Sequence, residues 1–272
     1  MRTMRILAAT LLAMVVAPLG QAFADPIRNV VIVHGALADG SGWRKVFDLL
    51  SAKGFNVSVV QPPMTSLGDD VTATKRILDL QAGPSILVGH SYGGMVVTEA
   101  GSADNVAGLV YVAAFQPDAG ETLLDLAART PAATKSIAAT KDGYLYLDPK
   151  AFAQDFAADI PADEARFMAQ SQVFPAKVAF ETKITAPAWK SKRSWALIAT
   201  DDRAIHPDLM REMAKRAGSE PVESQSQPRS LHVPAGGCRR ADREGRGHAF
   251  RLTHYLCGGS LRSATKALFT CR

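Results

Sequence analysis

The stretch SILVGHSYGGMVV, residues 85–97, contains the pattern on which the prediction of the fold depends. Ser85 to Val88 is a short apolar run typical of a buried strand, and Tyr92 to Ala100 is compatible with a helix. Between them lies G-x-S-x-G, with Ser91 at its centre. A serine on such a sharp strand-to-helix turn has a strained backbone and an exposed hydroxyl, which makes Ser91 the candidate nucleophile.

The segments around this stretch alternate between strand and helix patterns. Apolar runs at residues 28–33, 55–60 and 106–113 predict further strands. Trp43, Val46, Phe47 and Leu50 recur at helical spacing, as do Val71, Thr74 and Leu78. This β-α-β-α order predicts an α/β fold with a mostly parallel sheet and helices on both faces.

The alternation stops after Phe115, which divides the chain into a core and an insertion. Residues 117–187 are mostly helix-compatible, contain scattered prolines and lack a strong strand pattern, so we expect an inserted helical cap. Residues 195–200 then predict a strand and residues 207–217 a helix, with Pro207 in the first turn. The expected core therefore comprises residues 25–116 and 188–223.

Residues 1–24 have the features of a secretory signal peptide. Arg2 and Arg5 precede an apolar stretch that is short for a membrane span, and Ala22-Phe23-Ala24 forms an A-x-A cleavage site. We therefore expect export to the periplasm or the medium, with the mature chain beginning near Asp25. No later segment predicts a membrane span, so no stable membrane association is expected after cleavage.

Basic residues are concentrated at the C-terminus. The formal net charge is +5, but nine of the 31 Lys and Arg and only three of the 26 Asp and Glu lie from Val222 onward. The rest of the chain therefore has 22 basic and 23 acidic residues, which does not indicate nucleic-acid binding. All three cysteines, Cys238, Cys257 and Cys271, also lie there, and their odd number does not indicate a disulfide framework.

The loop after the first predicted strand of the mature chain supplies a candidate oxyanion hole. His34-Gly35-Ala36 follows that strand, and in this architecture the loop contributes one backbone N–H group while the residue after the nucleophile contributes another. These are the amides of Ala36 and Tyr92. We expect His34 to be a structural loop residue and His90 to pack or to line the pocket.

Residues 29 to about 220 resemble the small α/β-hydrolases related to plant methylesterases and hydroxynitrile lyases. The stretches that carry the resemblance are VVIVHGALADGSGW, VVQPPMTSLGDDV, ILVGHSYGGMV, LVYVAAFQPDAGE and PAWKSKRSWALIATDDRAIHPDL. The resemblance implies a Ser-Asp-His triad beneath a mainly helical cap. It also implies, through the motif T-[DE]-D-x-x-I, that the acid is Asp202, with Asp201 and Asp118 as alternatives.

The histidine expected after the acid is missing from a clear position. From Ser224 the sequence SQSQPRSLHVPAGGCRRADREGRG has neither strand nor helix periodicity, so residues 224–272 are expected to be an aberrant, disordered tail. His232 is the nearest candidate base. Removing one base after codon 223 allows V-E-V-K-A-S-H-A-V-Y-M, with a histidine at position 228 and a helical sequence following. We therefore hypothesise a frameshifted C-terminus.

These residues predict a serine hydrolase whose partner is a small carboxylic ester. No cluster has the spacing of metal ligands, so we expect neither a metal nor another cofactor. A lyase on the same scaffold, similar to a hydroxynitrile lyase, is one alternative because related lyases use the same triad. A chain inactivated by loss of its native histidine is the other.

Overall fold

The computed structural model describes residues 27–158, 160–224 and 238–239. The predicted signal peptide, His232 and nearly all of the predicted tail therefore lie outside the described residues. No helix in the described part of the chain is long and apolar enough to cross a membrane.

A seven-stranded sheet with the order β2-β1-β3-β4-β7-β8-β9 forms the centre of the fold. The first six of these strands are parallel, while the last, of two residues, is antiparallel to its neighbour. The strands are β1 Asn29–Val33, β2 Asn56–Val60, β3 Ser85–Ser91, β4 Val106–Ala114, β7 Ser194–Ala199, β8 Glu220–Ser224 and β9 Cys238–Arg239. The predicted α/β-hydrolase architecture, a mostly parallel sheet between helices, is confirmed.

Helices cover both faces of this sheet, as their apolar stripes predict. Helices α2, α3 and α8 bury their apolar sides in one cluster, and α1 contributes Val46 and Leu50 to a second cluster on the opposite face. The helices of the core are a 3₁₀ turn at Gly40–Trp43, α1 Arg44–Ser51, α2 Leu67–Asp79, α3 Gly93–Ala100, a 3₁₀ turn at Ala188–Lys190 and α8 Pro207–Ala217. The predicted start of α8 at Pro207 and its end at Ala217 are confirmed.

The segment between β4 and β7 contains four short helices and a hairpin. The elements are α4 Leu123–Arg129, β5 Ile137–Ala139, β6 Leu145–Leu147, α5 Phe152–Phe156, α6 Ala162–Gln170 and α7 Lys177–Glu181. We expected helix without a strong strand here, but β5 and β6 pair as an antiparallel hairpin of three residues each. Strands this short leave too few alternating positions to produce a clear period-two pattern.

Strand β8 was not predicted either. It pairs in parallel with β7, and it buries Val222 and Ser224. Its five residues include Pro221 and two glutamates, which are uncommon in strands, so tertiary pairing with β7 outweighs local propensity. At the same edge, Cys238–Arg239 pairs with β8 although the prediction assigned these residues to a disordered tail.

Candidate active site

Ser91 occupies the sharp turn between β3 and α3. It is the last residue of β3, it is half-buried, and its φ angle is +51°. Tyr92 already has helical angles, so the chain passes from strand to helix within two residues. Positive φ is unfavourable for a residue with a side chain, and such strain is concentrated at functional sites. The conformation agrees with the prediction of a nucleophile turn at this serine.

The glycines around Ser91 allow α3 to approach the backbone of three strands closely. A Cβ atom on Gly89 would lie 2.6 Å from the carbonyl oxygen of Gly93, and one on Gly93 would lie 2.5 Å from that of Val33. A Cβ atom on Gly94 would overlap the carbonyl oxygen of Phe115. Side chains at these positions would therefore push α3 away from β1, β3 and β4.

The loop after β1 lies directly against Ser91. A Cβ atom on Gly35 would be only 2.8 Å from the Cβ atom of Ser91. Ala36 is buried beside it, and Leu37 has a φ angle of +62°, which turns the chain sharply after Ala36. The loop and the start of α3 thus flank Ser91, which is the arrangement expected of the Ala36 and Tyr92 amides as oxyanion donors.

The two histidines near this turn are both fully buried. His34 donates from Nδ1 to the carbonyl oxygen of Gly35 at 2.9 Å, which holds the side chain against its own loop. The His90 ring packs edge-on against Trp43, with 6.1 Å between ring centroids. Both positions fit the predicted structural roles.

Asp202 lies in the loop that follows β7. Its Oδ1 atom accepts hydrogen bonds from the amides of Ala204 at 2.7 Å and Ile205 at 2.9 Å. Its Oδ2 atom is buried and has no hydrogen-bond partner among the described residues. Burial raises the pKa of this carboxyl to about 7, and the two amide hydrogen bonds only partly oppose the rise. Asp202 is therefore oriented by one oxygen while the other remains available to a further donor.

The two alternative acids have different surroundings. Asp201 is exposed. Asp118 forms an ion pair with Lys190 at 2.5 Å and accepts from the amide of Ala119 at 2.7 Å. Partial burial opposes ionisation of Asp118, but its bond to Lys190 and the nearby positive charges hold its pKa below the usual value. An acid with a buried, unpaired oxygen is the better candidate for orienting an imidazole, which favours Asp202.

The expected base cannot be placed, because His232 lies outside the described residues. Strand β8 nevertheless shows where the chain leaves the sheet. Ser224 is aligned with Ala199, and its carbonyl oxygen accepts from the amide of Thr200 at 2.9 Å, two residues before Asp202. The end of β8 therefore lies beside the loop that contains Asp202.

The inserted segment contacts the acid loop through a buried carboxylate. The Thr134 amide donates to the carbonyl oxygen of Arg203 at 3.1 Å, and the Arg203 guanidinium lies 3.5 Å from Asp155. Asp155 also accepts from the hydroxyls of Thr134 and Ser136, each at 2.8 Å.

A third buried carboxylate, Asp70, was missed by the sequence reasoning. It is fully buried on α2 and accepts a 2.6 Å hydrogen bond from the Tyr92 hydroxyl. The sequence contained a signal for it, because Asp70 is four residues before Thr74 and eight before Leu78, on the buried stripe of that helix. Asp70 therefore lies among core positions, where an unpaired carboxylate would be unfavourable.

Within residues 27–158 and 160–224, no group of three or more histidine, cysteine, aspartate or glutamate side chains is arranged to hold a metal ion.

Comparison with known proteins identifies both family and fold. The family model described as "Alpha/beta hydrolase family" matches residues 30–254, more than half of the chain. The carbendazim hydrolyzing esterase of Nocardioides sp. is 37% identical over 116 residues, which cover 36% of this chain and 46% of that protein. The pyrethroid hydrolase of Sphingobium wenxiniae is 32% identical over 111 residues, covering 35% and 39% respectively. The chain thus matches less than half the length of these curated relatives.

Solved structures agree with the fold. A pyrethroid hydrolase from Sphingobium faniae JZ-2 has a TM-score of 0.65 at 23% identity, covering 75% of this chain and 91% of that one. Polyneuridine aldehyde esterase has a TM-score of 0.65 at 15% identity, covering 75% and 93%. At these identities the likeness concerns the fold alone.

Proposed function

This chain belongs to the alpha/beta hydrolase family, and from that premise we propose that it is a serine hydrolase of small carboxylic esters. The observation that carries the proposal is the backbone of Ser91, which has a φ angle of +51° at the end of a strand and directly before a helix. Relatives named as an esterase, a pyrethroid hydrolase and a pheophorbidase support ester hydrolysis.

In the proposed mechanism Ser91 attacks the ester carbonyl and forms an acyl-enzyme. A histidine takes the Ser91 proton and then delivers it to the leaving alcohol, and Asp202 holds that imidazole in the required tautomer. The Ala36 and Tyr92 amides stabilise the oxyanion of the tetrahedral intermediate. Water then attacks the acyl group with the same histidine as base, releasing the acid. No metal or cofactor takes part in these steps.

Whether this chain hydrolyses esters efficiently depends on which residue supplies the histidine. The Oδ2 atom of Asp202 has no hydrogen-bond partner among the described residues. This supports the view that Oδ2 normally accepts a hydrogen bond from an imidazole, which the described residues do not provide. It favours a second proposal, that the frame of the C-terminus has shifted and that the native base stood at position 228, four residues after the end of β8. On this proposal His232 is a poor substitute, and the present chain hydrolyses esters slowly.

Labelling with a fluorophosphonate probe, followed by peptide mass analysis, tests the role of Ser91 directly. In the protein with the restored C-terminal frame, we expect the probe on Ser91, and we expect Ser91→Ala to abolish both labelling and p-nitrophenyl acetate hydrolysis. Loss of a triad serine lowers kcat by on the order of 10⁶. Ser102→Ala is the matched control, because Ser102 is exposed and bonds only to the carbonyl oxygen of Glu99. Labelling at another serine would refute the assignment.

We further propose that the chain is exported and that residues 1–24 are removed. Its net charge, apart from the C-terminus, supports a small-molecule partner rather than a nucleic acid. Expression of the full gene in a bacterial host with an export system, followed by N-terminal sequencing, should give a mature chain beginning near Asp25. Recovery of the intact N-terminus in the cytoplasmic fraction would contradict this.

A further inference from the structure

A buried hydrogen bond connects the nucleophile turn to helix α2. The Tyr92 side chain, which follows Ser91, runs into the core, and its hydroxyl donates to Oδ2 of Asp70 at 2.6 Å. Both residues are almost completely buried, with relative exposures of 1% and 0%. Because the amide of Tyr92 is also a proposed oxyanion donor, whatever holds this side chain also restrains the turn.

The same carboxylate fixes the loop before α2. Its Oδ1 atom accepts from the amide of Met64 at 2.8 Å, and Met64 has a φ angle of +62°. The carbonyl oxygen of Met64 in turn accepts from the amide of Ala176, immediately before α7, at 2.8 Å. Asp70 is therefore one bond from the nucleophile turn and two bonds from the cap.

The Tyr92 ring also contacts the cap directly. Its centroid lies 5.3 Å from that of Phe180, a buried residue of α7, with a tilt of 39° between the rings. Helices α2 and α7 pack against each other around this contact. Two groups from different parts of the chain, Asp70 on α2 and Phe180 on α7, thus contact the Tyr92 side chain.

A carboxylate is an unfavourable choice for this position unless it has a specific role. Burial raises the pKa of Asp70 to about 6, against the opposing effect of its hydrogen bonds from Tyr92 and Met64. An apolar residue at this position would avoid that desolvation. Unlike an apolar side chain, the carboxylate forms directional hydrogen bonds, and its two oxygens fix the positions of Tyr92 and Met64 relative to each other.

We propose that Asp70 is a positioning residue that holds the Tyr92 side chain, and with it the nucleophile turn, in register with the cap segment at Ala176–Glu181. The role of Asp70 in catalysis rests on the proposed function of Ser91. The hydrogen bonds that connect Asp70 to the turn and to the cap segment do not depend on that function. Asp70 contacts no reacting atom in this scheme. It acts through Tyr92, and release of the bond loosens both the turn and the cap segment.

Hydrogen exchange measured by mass spectrometry on the full chain tests the connection without requiring turnover. Asp70→Leu removes both hydrogen bonds with a side chain of the same branching, and Asp70→Asn retains an acceptor for Met64 and a donor for Tyr92. We expect Asp70→Leu to accelerate exchange at residues 89–95 and 176–181 by about tenfold. Asp70→Asn should restore most of the protection. Tyr92→Phe, which keeps the ring, should resemble Asp70→Leu and serves if that variant does not fold.

Tyr111→Phe is the matched control. The Tyr111 hydroxyl is equally buried and bonds to Thr98 on α3 at 2.9 Å, so its loss removes a similar bond away from the turn and the cap. If Tyr111→Phe accelerates exchange at 89–95 and 176–181 as much as Asp70→Leu does, or if Asp70→Asn fails to restore protection, the proposal is overturned. Absence of probe labelling in the restored-frame protein would instead count against the proposed function, while the exchange result would still decide the role of Asp70.

Discussion

The two carboxylate oxygens of Asp202 have different surroundings. Oδ1 accepts two backbone hydrogen bonds, while Oδ2 is buried with no partner among the described residues. Because burial raises the pKa to about 7, the folded protein holds a proton here that the unfolded chain loses near the ordinary value of 3.8. The group therefore affects stability in the pH range between these two values.

Asp202→Asn is expected to stabilise the present chain at neutral pH. Below the unfolded pKa the carboxyl is protonated in both states and the variant has little effect. As the pH rises towards 7 the unfolded state ionises first, so the wild type loses stability and the variant does not. The gain at pH 7 to 8 should be on the order of a few kcal/mol. Urea unfolding at pH 4, 5.5 and 7.5 measures it.

Asp118→Asn is a control for which the opposite change in stability is expected at neutral pH. The pKa of Asp118 is lowered by its bond to Lys190, so its ionised form contributes stability that is present at neutral pH and lost on acidification. This variant should therefore destabilise the protein at pH 7.5. If Asp202→Asn also destabilises it there, Asp202 has a favourable partner that the described residues do not contain.

The catalytic assignment of the acid is tested in a protein whose C-terminal frame has been restored. Asp202→Asn should lower kcat by on the order of 10⁴, because the amide favours the wrong imidazole tautomer. Asp118→Asn should have a small effect, since Asp118 is committed to Lys190. Steady-state hydrolysis of p-nitrophenyl acetate distinguishes them, and a larger loss from Asp118→Asn would transfer the role to the loop after β4.

At the scale of elements, the crossing of α3 over the sheet depends on glycine. A side chain at Gly94 would meet the backbone oxygen of Phe115 at the end of β4, and backbone atoms cannot rotate away as side chains can. The same region contains the hydrogen bond from the Phe115 amide to the carbonyl oxygen of Ser91, at 3.2 Å. Packing between α3 and β4 is therefore coupled to the position of the nucleophile turn.

Gly94→Ala should consequently lower the free energy of unfolding by about 1–3 kcal/mol and reduce probe labelling of Ser91. Gly68→Ala is the matched control, because Gly68 also lies in a helix but a Cβ atom there would meet nothing closer than 3.8 Å. That variant should stabilise the protein by about 0.5–1 kcal/mol through the entropy of the unfolded chain. Urea unfolding compares the stabilities of the two variants. Equal changes in the free energy of unfolding would show that α3 and the end of β4 can move apart at Gly94 without cost.

At the scale of the whole molecule, the parallel sheet brings distant segments to one edge. Ser91 ends β3, Asp202 follows β7, and β8 ends at Ser224 beside Thr200. The carboxyl ends of parallel strands converge at the edge where ligands bind in open α/β sheets. A histidine shortly after Ser224 would complete the site from a third strand.

Restoring the frame after codon 223 should therefore increase esterase activity by several orders of magnitude, since loss of the base alone costs on the order of 10⁶ in kcat. The control is the restored gene with the histidine codon at position 228 changed to alanine, which should return activity to the level of the present chain. Equal activity of the present and restored chains would show that the existing C-terminus supplies a base, and His232→Ala would then identify it.

The sequence was enough to predict the strand-to-helix turn at Ser91, because the cause of that turn is local: an apolar run, a serine and glycines small enough for close crossing. It was also enough to predict α2 from its apolar stripe and α8 from the proline in its first turn. The family motif already favoured Asp202 over Asp118 as the acid, and the tertiary structure added that the two carboxylates have different partners, which distant residues provide. The tertiary structure alone revealed β8, whose residues form a strand by pairing with β7. It also revealed the hydrogen bond between Asp70 and Tyr92. Asp70 and Tyr92 are 22 positions apart in the sequence, and a bond between positions so far apart depends on packing rather than on local pattern.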